Sequence, residues 1–348
     1  MITQIKEAQG ISAIVCSYNG AERMESTLKA IAKQSKLDEF EIEVIVVDNN
    51  STDQTFEISQ SLFSELNLKG EVLREVKQGK RFALDLGIRR ASYEIVAIID
   101  DDNIVYQDYF SKIYMVFYSQ PTVGFCGTAT ELVTDLERVP KWWPDHQKLY
   151  AVGSQYSSNG FIDEMSGATV WGAGMAFRRR IWFDAYGRYK SSLLGRNSIN
   201  LVAGEDSELC FIAILMGWRG YYLAEEYIGH YMPASRLTED YLLRLSRSMG
   251  AGGIKNKVLS EEWTIRTQKQ LSWFYLASRR SKRFLIAMYC IKSNYFFIRA
   301  MLARSGPKRI ECRVREAAFR GSLDAINEMS ERDLWSFPLT GTTDKELR

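Results

Sequence analysis

The stretch Ile95-Val96-Ala97-Ile98-Ile99-Asp100-Asp101-Asp102-Asn103 decides how this chain is read. Its apolar, largely β-branched run is too short for a helix and follows a helix-like stretch, so it reads as a buried strand of a parallel sheet. Open α/β sheets bind ligands beyond the carboxyl ends of their strands. Three adjacent carboxylates at such a place repel one another unless something positive sits among them. A hard divalent cation carrying a diphosphate, Mg²⁺ or Mn²⁺, meets that need because oxygen ligands suit such ions. A solvated acidic turn is the plain alternative, but the strand context favours a metal–nucleotide site.

Upstream the same pattern repeats. Ser12-Ala13-Ile14-Val15-Cys16 reads as a strand and Ala21 to Gln34 as an amphipathic helix. Val44-Ile45-Val46-Val47 is a strand ending at Asp48, followed by a helix from Thr52 to Leu66 that Ser51 or Thr52 caps, with Asp53 in its first turn. Glu71 to Val76 is a third strand, Lys80 to Ala91 a third helix and Glu94 to Ile99 the fourth strand. This alternation implies a doubly wound sheet with right-handed crossovers. Its strand ends deliver Tyr18, Asn19, Asp48 and Asp100 to Asp102 to one edge.

The middle of the chain reads differently. Gln107 to Ser119 is a helix and Val123 to Cys126 a short strand, while Lys141 to Gly160 reads as aromatic loops shaping a pocket. There Trp142 and Trp143 are either open aromatic platforms or packed in a core. Thr169 to Phe177 is a strand interrupted by Gly172 and Gly174, and glycine in a strand often marks close approach of a ligand or another backbone. Trp171 beside them is a candidate floor for a ligand. Ser191 to Asn200 reads as flexible. Gly204-Glu205-Asp206-Ser207-Glu208-Leu209 opens a helix reaching about Met216, apolar on most faces and so buried. The strand Gly220 to Ala224 precedes His230.

From Leu237 onward the pattern is helical. Phe284 to Leu302 is apolar and aromatic, flanked by Arg279-Arg280-Ser281-Lys282-Arg283 and by Lys308, Arg309, Arg313 and Arg315. Such a segment either lies in a membrane interface and attracts anionic lipids or packs as a helical hairpin. The net charge of +2 hides this asymmetry, because most of the basic excess follows Ser278. The five cysteines show no Cys-x-x-Cys spacing, which argues against a zinc ribbon or disulfide framework and favours a reducing, cytoplasmic setting. Met1 to Gly10 lacks the apolar core of a signal peptide, and no stretch of about twenty uncharged apolar residues predicts a spanning helix. No Gly-x-Gly-x-x-Gly follows a strand, which disfavours a dehydrogenase. Ser17-Tyr18-Asn19-Gly20-Ala21 holds a single glycine, too few for a triphosphate-cradling loop.

Four motifs now stand in order: Ile14 to Asn19, Val46 to Asp53, Ile99 to Asn103 and Gly204-Glu205-Asp206. Together they resemble the family 2 glycosyltransferases, inverting enzymes of the GT-A fold that use nucleotide-diphosphate sugars, over about residues 10 to 235. The resemblance implies an α/β, GT-A type, doubly wound and mostly parallel sheet with a C-terminal helical extension. Residues 1–105 would form the nucleotide-sugar-binding half, 106–236 the acceptor and catalytic half, and 237–348 a helical region that associates with membrane or packs on the rest. It implies Asp48 accepting hydrogen bonds from the base, which favours a UDP-type donor, with Tyr18 and Asn19 near base and ribose. Lys80 and Arg81 would touch base or phosphates, although Leu84-Asp85 departs from the Arg-Asn frequent in the family.

Asp100 and Asp102 match the family's Asp-x-Asp: Asp100 toward ribose and metal, Asp102 on the Mg²⁺ or Mn²⁺, with Asp101 flanking and His230 as an additional metal ligand. Asp206 is the candidate general base and Glu205 the alternative, where helix-start acidity is the plain explanation. The implied partners are a nucleotide-sugar donor, a carbohydrate or lipid-linked acceptor in polysaccharide or glycolipid synthesis, and an anionic membrane surface, with no nucleic acid. The expected location is cytoplasmic and peripheral at the inner face of the cell membrane. A sugar nucleotidyltransferase and a non-catalytic nucleotide-sugar-binding relative are the competing functions.

Overall fold

The computed structural model of the chain describes residues 10–34, 40–162, 168–188, 204–268, 282–303 and 305–329. The stretch Ser191 to Asn200, the cations Arg279 and Arg280, and all but the last of the first ten residues lie outside them. Two compact units emerge, each described by itself: 1–134 with 151–182 and 216–232, and 135–150 with 183–215 and 233–348.

The first unit is built on one mixed sheet. Its strands are β1 (Gly10–Ser17), β2 (Glu41–Asp48), β3 (Gly70–Arg74), β4 (Ile95–Asp100), β5 (Asn103–Val105), β6 (Val123–Val133), β7 (Gly160–Phe161), β8 (Ala176–Arg178) and β9 (Arg219–Tyr231). The order is β3-β2-β1-β4-β8-β6-β9-β5, with β7 on β9. Helices α1 (Ala21–Ala32), α2 (Thr55–Glu65), α3 (Lys80–Arg90) and α4 (Tyr109–Ser119) connect the strands. β1 is buried along its whole length, as a central parallel strand covered on both faces must be. Register sets the site: β1 pairs β2 in parallel with Ser17 opposite Asp48, and β4 with Cys16 opposite Asp100. β5 pairs β9 antiparallel with Asn103 opposite His230. Asp101 and Asp102 are thus the whole connection between two strands with different neighbours.

Several expectations are corrected. Helix α2 starts at Thr55 without a side-chain cap, because Ser51 and Thr52 bond Asn19 instead. The third strand stops at Arg74, and Val76 is exposed. β6 runs well past Cys126, to Val133. Only Ala176–Arg178 of the glycine-dotted stretch is a strand. Gly174 takes φ +71° there, and a Cβ on it would fall 1.9 Å from Ile228 Cδ1, so this close approach belongs to the core. His230 lies inside β9 rather than after its strand.

The second unit is mainly helical: α5 (Trp143–His146), most of α6 (Arg179–Arg188), α7 (Glu205–Leu215), α8 (Glu239–Gln268), α9 (Lys282–Leu302) and α10 (Gly306–Glu328). Trp142 and Trp143 are buried against Tyr150 and each other, which settles them as core rather than as an open sugar platform. Ile254, Leu285, Tyr289, Ala325 and Ile326 form a core joining α8, α9 and α10. Among the described residues no helix is long and apolar enough to cross a membrane.

Helices α8 and α10 cross where small residues let their backbones touch. A Cβ on Gly250 would lie 1.9 Å from the Ala318 carbonyl oxygen, and one on Gly321 would lie 1.7 Å from that of Arg247. The Ser246 hydroxyl donates to the Val314 carbonyl and that of Ser322 to the Gly250 carbonyl. Gly253, one turn on, meets nothing within 4 Å. Gly250→Ala should therefore destabilise by about 1–3 kcal/mol through overpacking, whereas Gly253→Ala should stabilise by up to about 1 kcal/mol through helix propensity. Urea unfolding of the two variants checks the opposite signs.

Candidate active site

The ends of β1, β2 and β4 bring together most of the residues singled out in the sequence. At the end of β2, Asp48 is fully buried. Its Oδ1 accepts from the Ser51 amide at 3.1 Å and its Oδ2 from Arg74 Nε at 3.1 Å. Asn19, at φ +50° after β1, donates its amide to Ser51 Oγ and accepts the Thr52 amide at Oδ1, both at 2.9 Å. Asparagine tolerates that left-handed backbone better than most residues. Tyr18 is half-buried beside it. The two strand ends are thereby laced into one surface.

Buried Asn49 fixes the approach to α3. Its side-chain amide donates to the Lys77 carbonyl at 2.8 Å and the Glu75 carbonyl at 3.2 Å, and its Oδ1 accepts the Gly79 amide at 2.8 Å. Gly79, at φ +131°, leads directly into Lys80 and Arg81 on the first turn. The Lys80 ammonium pairs with Asp100 Oδ1. The departure at Leu84-Asp85 has a local explanation: Leu84 is core, and Asp85 accepts from Trp182 Nε1 at 2.9 Å and from Arg89 Nε at 2.7 Å.

The acidic triplet is divided among different partners. Asp101 turns inward, where Ser17 Oγ donates to its Oδ2 at 2.5 Å and Arg23 grips both oxygens at 2.9 and 3.3 Å. Burial, then the neighbouring Asp102, pushes the Asp101 carboxyl above the usual range, and Arg23 opposes the shift. Gly20 is required where α1 begins, because a Cβ there would lie 2.1 Å from Ser17 Oγ and 2.2 Å from Asp101 Oδ2. Asp102 is also buried; its Oδ1 accepts from Asn103 Nδ2 at 3.2 Å and lies 3.4 Å from His230 Nε2. His230 Nδ1 is buried and has no hydrogen-bond partner. Cys16 beneath them is no nucleophile, since burial pushes its thiol up to about 12.

Buried nitrogens rarely stay unpaired, and a carboxylate beside an imidazole is a donor set that suits a divalent cation. Among the described residues no cluster of three or more His, Cys, Asp and Glu stands ready for a metal, and Asp100 is joined to Lys80 rather than to the Asp102–His230 pair. Two protein ligands still fit an ion such as Mg²⁺, which commonly completes its shell with substrate phosphates and water.

Glu205 and Asp206 stand in the second unit, in the first turn of α7, both half-buried. Asp206 Oδ1 accepts from the Ser207 amide at 2.7 Å. Gly204, at φ +121°, precedes them, and its carbonyl accepts from Asn256 Nδ2 at 2.9 Å. Sequence reasoning missed Ser17, Arg23, Asn49 and Arg74 as site-builders. The signal for Arg23 was the crowding of acids itself, which demands a cation from the facing helix.

A family model described as Glycosyl transferase family 2 matches residues 12–186. Poly-beta-1,6-N-acetyl-D-glucosamine synthase from Staphylococcus epidermidis is 33% identical over 121 residues, covering 34% of this chain and 28% of that protein. The chain thus spans under a third of the length of that curated relative. Among solved structures, the mannosyltransferase PcManGT from Pyrobaculum calidifontis, in complex with GDP-Man and Mn²⁺, aligns with a TM-score of 0.57 at 19% identity over 93% of this chain and 87% of its own. TarS 1–349 from S. aureus aligns with a TM-score of 0.50 at 15% identity, over 90% of this chain and 91% of its own. These structures share the fold: a mostly parallel α/β sheet with helices following it.

Removing one partner of the Arg23–Asp101 pair leaves a buried charge behind. Arg23→Gln should cost about 3 kcal/mol, and adding Asp101→Asn to it should recover much of the loss. A double-mutant cycle by urea unfolding reads both.

Proposed function

Because the chain belongs to glycosyl transferase family 2, we propose that it transfers a sugar from a nucleotide-diphosphate donor to an acceptor hydroxyl, with inversion at the anomeric carbon. The observation that carries this is Asp102 beside His230, with an unpaired imidazole nitrogen, at the carboxyl edge of the sheet. Asp102 and His230 would hold the divalent ion, Mg²⁺ or Mn²⁺, whose chemistry is to neutralise the departing diphosphate. Lys80 and Arg81, on the first turn of α3, would bind phosphate or base, and Asp100 would orient Lys80 and face the ribose. Asp101 acts as a positioning residue, holding the turn through Ser17 and Arg23.

Tyr18, Asn19 and Asp48 would form the base subsite. A carboxylate at Asp48 can take an imide N–H, which favours a UDP-type donor, and that contact requires Arg74 to give up its place on Oδ2. Asp206 would remove the acceptor proton as the hydroxyl attacks, with Glu205 as the alternative base. Residues 1–105 would serve the donor, 106–236 the acceptor and the proton transfer, and 237–348 attachment or packing. Likeness to a polysaccharide synthase supports a polysaccharide or lipid-linked acceptor, met at the cytoplasmic face of a membrane.

Calorimetric titration of UDP, GDP, dTDP and CMP, each with and without Mn²⁺, tests the donor site. One nucleoside diphosphate should bind only with metal, and Asp102→Asn should weaken it about 10-fold or more; an unchanged titration would remove Asp102 from the site. Asp206→Asn should leave that binding nearly intact while lowering transfer by roughly 10²–10⁴. Normal transfer in this variant would transfer the role to Glu205 or refute the base assignment.

A further inference from the structure

Helix α9 has two apolar faces and buries only one. Leu285, Tyr289, Ser293 and Ala300 turn inward. Ile291, Tyr295, Ile298 and Leu302 recur at spacings of four, three and four, which is one helical face. That face is open: Ile291 is 69% exposed, Ile298 54% and Leu302 75%, with Phe284 and Met301 also exposed. A continuous apolar stripe on a protein surface marks an interaction site rather than chance exposure.

At the C-terminal end of the stripe, α9 and α10 enclose a surface cavity of about 530 Å³ lined in part by Phe296, Arg299, Leu302, Lys308, Glu311 and Arg315. Glu311 is matched by Arg315 Nη2 at 2.7 Å, and Arg299 Nη1 donates to the Tyr295 hydroxyl at 2.9 Å. The Lys308 ammonium makes no hydrogen bond or ion pair among the described residues. The cavity therefore keeps an excess of positive charge over an apolar wall. The surroundings agree, since residues 282–329 hold ten Lys and Arg against four Asp and Glu in a chain of net charge +2.

We propose that this cavity seats the phosphate-bearing headgroup of an anionic membrane lipid while the Ile291–Leu302 stripe lies in the acyl boundary. Charge complementarity selects this occupant: a cation-rich cavity continuous with an apolar stripe matches a lipid that carries its phosphate next to its chains. The stripe from Phe284 to Leu302 is about 27 Å long at the helical rise, enough for α9 to lie flat on a surface. The inference rests on the peripheral-membrane part of the function proposed above and is separable from the transfer reaction.

The full chain is floated with phosphatidylcholine vesicles and with vesicles containing about 30 mol% phosphatidylglycerol. Wild type should bind the anionic vesicles and not the neutral ones, and less so as salt rises. The exposed triple variant Arg299→Gln/Lys308→Gln/Arg315→Gln should bind about a hundredfold more weakly, at roughly fivefold per cation. Ile291→Ser/Ile298→Ser should also lose binding. Both variants should keep the circular dichroism spectrum and the metal-dependent nucleotide titration of wild type, so that failure here is distinct from failure of the donor site. Equal vesicle binding by wild type and the triple variant would overturn the proposal, as would no binding by wild type. Release from vesicles by millimolar glycerol 3-phosphate at fixed ionic strength would reassign the cavity to a soluble phosphate ester. Self-association by sedimentation, abolished by Ile291→Ser/Ile298→Ser without vesicle binding, would reassign the stripe to a second copy of the chain.

Discussion

The first unit is organised around one electrostatic constraint: three consecutive carboxylates at a strand end, two of them buried, cannot share one space. Like charges at such spacing raise one another's pKa, and burial adds to the effect. The chain resolves this by sending each carboxylate to a different element. Asp100 meets Lys80 from the helix after β3, Asp101 meets Ser17 at the end of β1 and Arg23 on the helix that follows, and Asp102 meets His230 from β9. Two crossover helices and one antiparallel pairing therefore converge on three adjacent residues. The crowding alone suggested a bound cation, yet protein cations already answer two of the acids. The case for a metal narrows to Asp102, whose neighbour is an imidazole rather than an ammonium or guanidinium.

Much of this was legible in the sequence, for a physical reason. Parallel strands buried on both faces must be near-continuous apolar runs, so Ser12 to Cys16, Val44 to Val47 and Ile95 to Ile99 announced themselves. Polar residues just past each run then had to lie at the ligand edge. The residues that escaped do their work through long-range contacts that no local pattern encodes. Arg23 looks like an ordinary helix cation until β4 is placed opposite it. Asn49 looks like a turn residue until its amide is seen holding the segment that leads into α3. The cap expected from Ser51 and Thr52 failed for the same reason, since a partner on the β1 turn competes for those groups. The strand read from the sequence ends at Ala224, ahead of His230. In the structure β9 shifts register there, with Thr128 opposite Leu223 and Ala129 opposite Tyr227, and continues past them.

Backbone register does the remaining positioning. A slip of one residue between β1 and β4 would turn every side chain to the other face and would separate Asp101 from Ser17. That slip is opposed by the buried β1, and by Gly20, where no side chain fits between Ser17 and Asp101. The pair Asn103–His230 is fixed less directly, by the short β5 on a long, bulged β9. The metal-type pair thus depends on the least regular part of the sheet, whereas the lysine and arginine partners stand on regular helices. Sites that must accept and release a ligand are commonly drawn from the less stable parts of a fold.

The helical unit applies a different logic to the same problem of unburied chemistry. Gly250 and Gly321 bring α8 and α10 into backbone contact, and such close packing leaves no groove there for large side chains. Helix α9 adds its inner face to their core through Leu285 and Tyr289. Nothing in this packing requires Ile291, Ile298 and Leu302, since exposed positions of a helix are better filled by Lys, Glu or Gln. Large aliphatic side chains held in water forgo roughly 1.5–3 kcal/mol each that burial would give. Their recurrence along one face, next to cations in excess of nearby acids, makes sense if the partner is a surface rather than a pocketed solute. A flat anionic interface would bury the whole stripe at once while leaving the phosphates to Arg299, Lys308 and Arg315.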